Sequence, residues 1–213
     1  MQITVIGATG MVGRRVVAEA LARGHSLTAV VRDTTRAADL PPAVRVRAGD
    51  AADVVAVACL AADQDVVVAS IRPAVGSEAE LVPTTQALLA GLVGSGARLL
   101  VVGGAGSLVV PGTGGLVADD PSLVTGGYRA IALAGVQQLA ACRAAPDEVD
   151  WTYLSPPAEL VPGVRTRTYR RGTDELLLDT RGRSRISVED LAVALLDEAQ
   201  NPAHRRTRFT VAY

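Results

Sequence analysis

Lysine is absent from this 213-residue chain, and all 21 of its basic residues are arginine. That absence excludes every mechanism needing a lysine base, a Schiff base or the lysine of a P-loop. Aromatic residues are scarce at 3%, so the core must be built from Val, Leu and Ala. Only two cysteines occur, Cys59 and Cys142, far apart in helix-like text. They form no disulfide framework and suit a reducing, cytoplasmic setting. The two histidines, His25 and His204, have no neighbouring Cys, His or carboxylate pattern, so no metal site is expected. A net charge of −1 argues against nucleic acid or a membrane surface as the main partner. No apolar run reaches the length of a membrane span, and the opening MQITVIGATG enters a strand with no leader-like h-region.

What is present alternates between two periods. QITVI (2–6), SLTAVVR (26–32), VRVRAGD (44–50), DVVVAS (65–70), RLLVVG (98–103), DWTYLSP (150–156) and RRTRFTVAY (205–213) read as strands. Helices are expected over 11–24, 54–62, 81–94, 130–144 and 187–200, the last opened by a Ser187 cap. Strands that are apolar almost throughout and separated by helices predict a parallel sheet covered on both faces. The expected fold is α/β, a single-domain Rossmann fold over 1–213. Its doubly wound, mainly parallel sheet would carry substrate-side elements from 104–128 and 156–186. VRTRTYRRGTDELLLD (164–179) reads as a solvated hairpin turning near 171–173.

GATGMVG (7–13) places glycines at 7, 10 and 13 between a strand and a helix. Gly7 permits the tight turn, Gly10 lets the backbone approach a pyrophosphate, and Gly13 lets helix and strand pack closely. With Thr9 between them and the amides of Met11 and Val12 at the helix start, the turn predicts a dinucleotide site. At the end of the second strand an acid would hold the ribose diol of NAD, whereas arginine would meet the 2′-phosphate of NADP. Arg32 stands 19 residues after Gly13, where the ribose reader belongs. Asp33 then turns away and Arg36 folds back as a second clamp. The expected cofactor is therefore NADPH, with NADH the alternative.

The glycine pattern followed by VVRDTTR (30–36) resembles the atypical short-chain dehydrogenases typified by biliverdin reductase B, together with NmrA-like NAD(P)-binding proteins. LLVVGGAGSL (99–108), DWTYLSPPAELVPGVRT (150–166), GRSRISVEDLAVALLDE (182–198) and the final RRTRFTVAY resemble a bacterial branch that carries the name NADH-flavin reductase by similarity. The resemblance runs end to end. It implies an adenine-contacting role for Asp50 with Ala51 beside it, and ribose or nicotinamide-side contacts from Ala69, Ser70 and Ile71. It places Pro156 beside the nicotinamide. Asp50 also reads as a helix cap for the segment that follows.

The classical short-chain dehydrogenase pair is Tyr-x-x-x-Lys. Here Tyr128 has Ala132 in the lysine position, and Arg129 diverges from it on a helix. Tyr128 and Ser107, which follows the fifth strand as the classical serine does, are the candidates for catalytic contact. The alternatives are a tyrosine partly buried at a helix start and a turn serine. Hydride transfer to a flavin asks mainly for positioning, whereas carbonyl reduction needs a proton donor. The missing lysine shifts the expectation toward a flavin, as substrate and not bound cofactor, or a related conjugated acceptor. The alternatives are a non-catalytic NmrA-like dinucleotide sensor and a pathway-specific reductase or isomerase. The expected partner is this small-molecule acceptor, the expected assembly a monomer or homodimer.

Overall fold

Val, Ile and Leu on both faces of a strand require cover on both faces, and the chain supplies it. In the computed structural model, which describes residues 1–213, helices alternate with strands through the first two thirds of the chain. The order is β1 (Gln2–Ile6), α1 (Met11–Ala22), β2 (Ser26–Val31), β3 (Arg45–Ala48), α2 (Val54–Ala61), β4 (Val66–Ala69), α3 (Leu81–Gly91) and β5 (Arg98–Val102). Then follow α4 (Arg129–Arg143), β6 (Trp151–Ser155), β7 (Glu159–Val161), β8 (Arg170–Gly172), β9 (Arg185–Ser187), α5 (Val188–Gln200) and β10 (Thr207–Ala212).

Eight strands form one sheet in the order β3-β2-β1-β4-β5-β6-β10-β8, parallel except for β8. From β1 the chain winds one way through β2 and β3, then returns to β4 and winds the other way. The ends of β1 and β4 are neighbours, with Ile6 paired to Ala69. In such sheets the crevice beyond this reversal is where ligands bind. One core layer joins α1 and α5 to the sheet through Val16, Val17, Leu191, Leu195 and Phe209. The other lies under α2, α3 and α4 around Leu60, Leu88, Leu139, Trp151 and Tyr153. No helix is long and apolar enough to cross a membrane.

The expected strands and helices form with ends shifted by at most three residues, but the hairpin does not. Arg170–Gly172, which overlaps the turn expected near 171–173, is itself a strand that pairs antiparallel with β10. The segment after it is drawn to the loop beyond β5, where Val109 bonds the backbone of Asp174 and Leu176. Two effects outcompete local pairing. The edge of β10 offers unpaired backbone groups, and Leu176 becomes fully buried with Leu108 and Val117. A second pairing, β7 beside β9, is parallel and separate from the main sheet.

The arginines expected to be solvated there divide in two. Arg165 grips buried Glu19 of α1 through two bonds, at 2.6 and 2.7 Å. Arg167 adopts a φ of 63°, and its amide and that of Thr166 both donate to Asp190 Oδ1 at 2.8 Å. Asp190 is fully buried and also accepts from the hydroxyls of Thr166 and Tyr213. The run GRSRISVED is therefore architectural: Ser187 caps α5 by accepting from the Asp190 amide, and Asp190 ties down the 163–168 loop.

Two buried carboxylates, Glu198 and Glu19, are held ionised in the interior. Burial raises the pKa of Glu198, but hydrogen bonds from His204 and Arg98 outweigh it and the net direction is down. At Glu19 burial is likewise overcome by Arg165 and Arg23. A folded-state pKa below the ordinary 4.5 contributes stability that is fully present above that value. It is lost as pH falls through the depressed values. The thermal midpoint should therefore hold from about pH 7 to about pH 5.5 and fall steeply below about pH 4.5. Glu198→Gln should lower the midpoint at neutral pH and flatten the acid decline, which melting curves across this range would read.

Candidate functional site

The glycine turn after β1 is shaped by two contacts that a side chain would block. Gly7 has a φ of 82°, and a Cβ there would overlap the Ser70 carbonyl oxygen at the end of β4. A Cβ on Gly13, inside α1, would overlap the Gly7 carbonyl oxygen. Gly10 sits extended at the N-cap, with its amide donating to Gly7 O at 3.0 Å. The first helical bond is Arg14 N to Gly10 O. The amides of Met11, Val12 and Gly13 are thus free donors, the first turn carries no acidic residue, and no side chain caps it. Thr9 offers its carbonyl to Arg14 Nε at 3.0 Å. Three aligned amides at the positive end of a helix dipole are a ready anion site.

Beyond β2 the side chains sort by charge. Asp33 is the N-cap of a one-turn 3₁₀ helix, Thr34–Ala37, and accepts from the Thr35 hydroxyl at 2.7 Å and amide at 2.9 Å. The hydroxyl bond comes first among the causes that hold its pKa below the ordinary range. Arg32 and Arg36 are exposed, and their side chains make neither an ion pair nor a hydrogen bond. After β3, Asp50 accepts from Ala52 N at 3.0 Å within its own turn and Ala51 is buried. The cap of α2 is Asp53, not Asp50.

Ala69, buried at the end of β4, leads into Ser70, whose amide donates to Ile6 O at 3.0 Å; Ile71 is half-buried beyond it. Two strands away, β6 ends at Ser155, followed by buried Pro156 and Pro157. Ser155 is fully buried, and its hydroxyl oxygen has no partner in the protein. Sequence reasoning passed over Ser155; its only signal was a serine between an apolar strand and two prolines. All these residues lie along the C-terminal edge of the sheet.

The two candidates for chemistry differ sharply. Tyr128 is exposed, not partly buried, and stands at the start of α4. The Arg72 guanidinium lies over its ring, 5.7 Å from the centroid. Arg129 faces elsewhere, bonding Ala118 O at 3.2 Å. Ser107 is buried just beyond β5, and its hydroxyl oxygen accepts from Arg208 Nη1 at 3.1 Å. The link between them is α4: Gly106 packs on the backbone of Ala132, one turn past Tyr128.

A family model described as NAD(P)H-binding matches residues 7–202. The chain belongs to that NAD(P)H-binding family. YwnB of Bacillus subtilis (strain 168), described as uncharacterized, is 36% identical over 223 positions that cover 99% of this chain and 98% of that protein. A Bacteroides thetaiotaomicron structure, provisionally named an epimerase, has a TM-score of 0.91 at 34% identity, covering 100% of this chain and 96% of that one. A Streptococcus pneumoniae structure, provisionally named an NADH-flavin reductase, has a TM-score of 0.89 at 26% identity, covering 100% and 99%.

The family match begins at Gly7, and the residues there fit an NAD(P)H pyrophosphate: free amides, a glycine floor and no opposing carboxylate. A hollow of about 330 Å³ between Arg23, Arg167, Val193, Asp197 and Gln200 has no such character. Its Arg23 is already neutralised by Glu19 and Asp197. Gly13→Ala should therefore cut dinucleotide affinity at least about tenfold, by forcing α1 away from the Gly7 carbonyl. Calorimetric titration of the folded variant measures this.

Proposed function

We propose that the chain is an NADPH-dependent reductase that delivers a hydride to a flavin or a related conjugated acceptor. The observation that carries the cofactor choice is the division of charge after β2. Asp33 turns its Oδ1 back to Thr35, while the side chains of Arg32 and Arg36 make no ion pair or hydrogen bond within the protein. Two free guanidiniums beside the adenosine end suit a 2′-phosphate, which accepts charge-assisted hydrogen bonds from both.

The acceptor follows from what surrounds the nicotinamide end. Bound NADPH supplies the hydride; the chain must hold the acceptor against it and keep water out. The amides of 11–13 fix the pyrophosphate, and Ser70, Ile71 and Pro156 wall the space beyond β4 and β6. Tyr128 offers an exposed ring face to a flat acceptor and a hydroxyl at its rim. No lysine stands in the partner position of that hydroxyl, which is Ala132. A flavin accepts at N5 without a strong acid from the protein, so orientation is the main demand. The reductase named among the similar structures supports this reading.

Steady-state oxidation of NADPH and NADH, with FMN, riboflavin and a quinone as acceptors, tests it. Turnover should favour NADPH, and Arg32→Ala should raise the KM for NADPH about tenfold to a hundredfold while leaving NADH nearly unchanged. Tight NADPH binding without turnover on any acceptor would favour a dinucleotide sensor instead. A preference for NADH that Arg32→Ala leaves untouched would return the ribose to Asp33.

A further inference from the structure

Lysine is missing from the tyrosine's helix, yet a cation does reach the second candidate, from 101 residues further along the chain. Arg208 rises from β10, next to Tyr153 of β6, and is almost fully buried. Its Nη1 donates to the Ser107 carbonyl at 2.7 Å and to the Ser107 hydroxyl oxygen at 3.1 Å. Its Nε and Nη2 both donate to Asp174 Oδ1, and Nη2 also reaches the Asp174 carbonyl. Arg143 approaches the same carboxylate at 3.8 Å. Asp174 thus fixes the guanidinium from outside, and the guanidinium fixes Ser107 from within.

The polarity of that contact has a consequence. A hydroxyl has one hydrogen to give and two lone pairs to fill, whereas guanidinium only donates and stays charged at any ordinary pH. With Arg208 filling a lone pair, the Ser107 hydrogen must point elsewhere, and no group in the protein accepts it. Ser107 is neither a nucleophile nor a base, for arginine cannot take its proton. It is an oriented donor, strengthened by a buried positive charge.

We propose that Arg208, anchored by Asp174, is a positioning residue that holds Ser107 as a hydrogen-bond donor toward the acceptor oxygen on which negative charge grows. This rests on the reductase reading. The acceptor gains a hydride, one proton and two electrons, at one atom, and its electron pair moves to a conjugated carbonyl oxygen. That oxygen accepts the Ser107 hydrogen bond and then takes a proton from water, leaving the acceptor reduced and the nicotinamide oxidised. The acceptor class is therefore a conjugated system ending in a carbonyl, as flavins and quinones both are.

The direct test reads the polarity of position 107 without relying on turnover. Ser107→Cys in a Cys59→Ala background places a thiol under Arg208. Of the other groups nearby, burial pushes Cys142 up to about 12 and Tyr153 higher still, so both stay silent. Thiolate absorbance should then titrate at least one unit below the ordinary thiol value of about 8.5, and Arg208→Gln should return it toward that value. Arg208→Lys, the gentler change, should give an intermediate midpoint. A midpoint at or above about 8.5 with Arg208 in place would overturn the proposal.

Activity supplies the second arm. Ser107→Ala should lower kcat about a hundredfold with the NADPH dissociation constant held within about twofold, as for loss of one oxyanion donor. Adding Arg208→Lys to Ser107→Ala should cost nothing more, because the two act as one unit. Independent, multiplying losses would make Arg208 merely structural and overturn the proposal. A wild-type protein that reduces no acceptor would sink the reductase reading, while the thiol titration still decides the polarity of position 107.

Discussion

Everything at the sheet edge depends on one close approach, the carbonyl of Gly7 lying where a side chain on Gly13 would have to be. That contact brings the start of α1 down onto the end of β1, and Gly7 in turn lies against the Ser70 carbonyl at the end of β4. Three elements from either side of the topological reversal are thereby fixed in one knot of backbone. The knot leaves the first amides of α1 pointing outward without partners. A helix start normally finds a capping side chain, and here Gly10 supplies none. The NAD(P)H-binding family match begins at this knot.

Around it, electrostatics are arranged by a chain with only one kind of strong base. Each buried carboxylate has a dedicated partner set: Glu19 with Arg23 and Arg165, Glu198 with Arg98 and His204, Asp190 with two amides and two hydroxyls. A forked guanidinium can serve two groups at once, which a lysine ammonium does less selectively. Arg98 uses this to join Glu198 and Thr152, and Arg208 to join Ser107 and Asp174. Arg32 and Arg36 are among the exposed arginines whose side chains have no such partner, and the cofactor proposal rests on their place just after β2.

The strand and helix order was legible because the period of the apolar residues changes sharply from one element to the next. The glycine turn was legible because strand, glycine spacing and helix coincide within 22 residues. The hairpin over 164–179 was misread for a definite reason. Its alternating text describes strands but does not say with what they pair, and the β10 edge and the pocket for Leu176 both lie far off in sequence. Likewise Arg165 looked solvated because its partner Glu19 is 146 residues away. Ser107 was identified by its place after β5, but Arg208 was invisible beside it, since nothing local in RRTRFTVAY marks one arginine as buried.

The most direct measurement follows backbone amide resonances during titration with NADP⁺. The amides of Met11, Val12 and Gly13 should shift together and become protected from exchange, with Arg32 and Arg36 side-chain signals moving alongside them. Arg23 and Arg167, in the hollow between α1 and α5, should stay still. Saturable binding that leaves 11–13 unmoved and perturbs that hollow would place the dinucleotide elsewhere and contradict the account at its root.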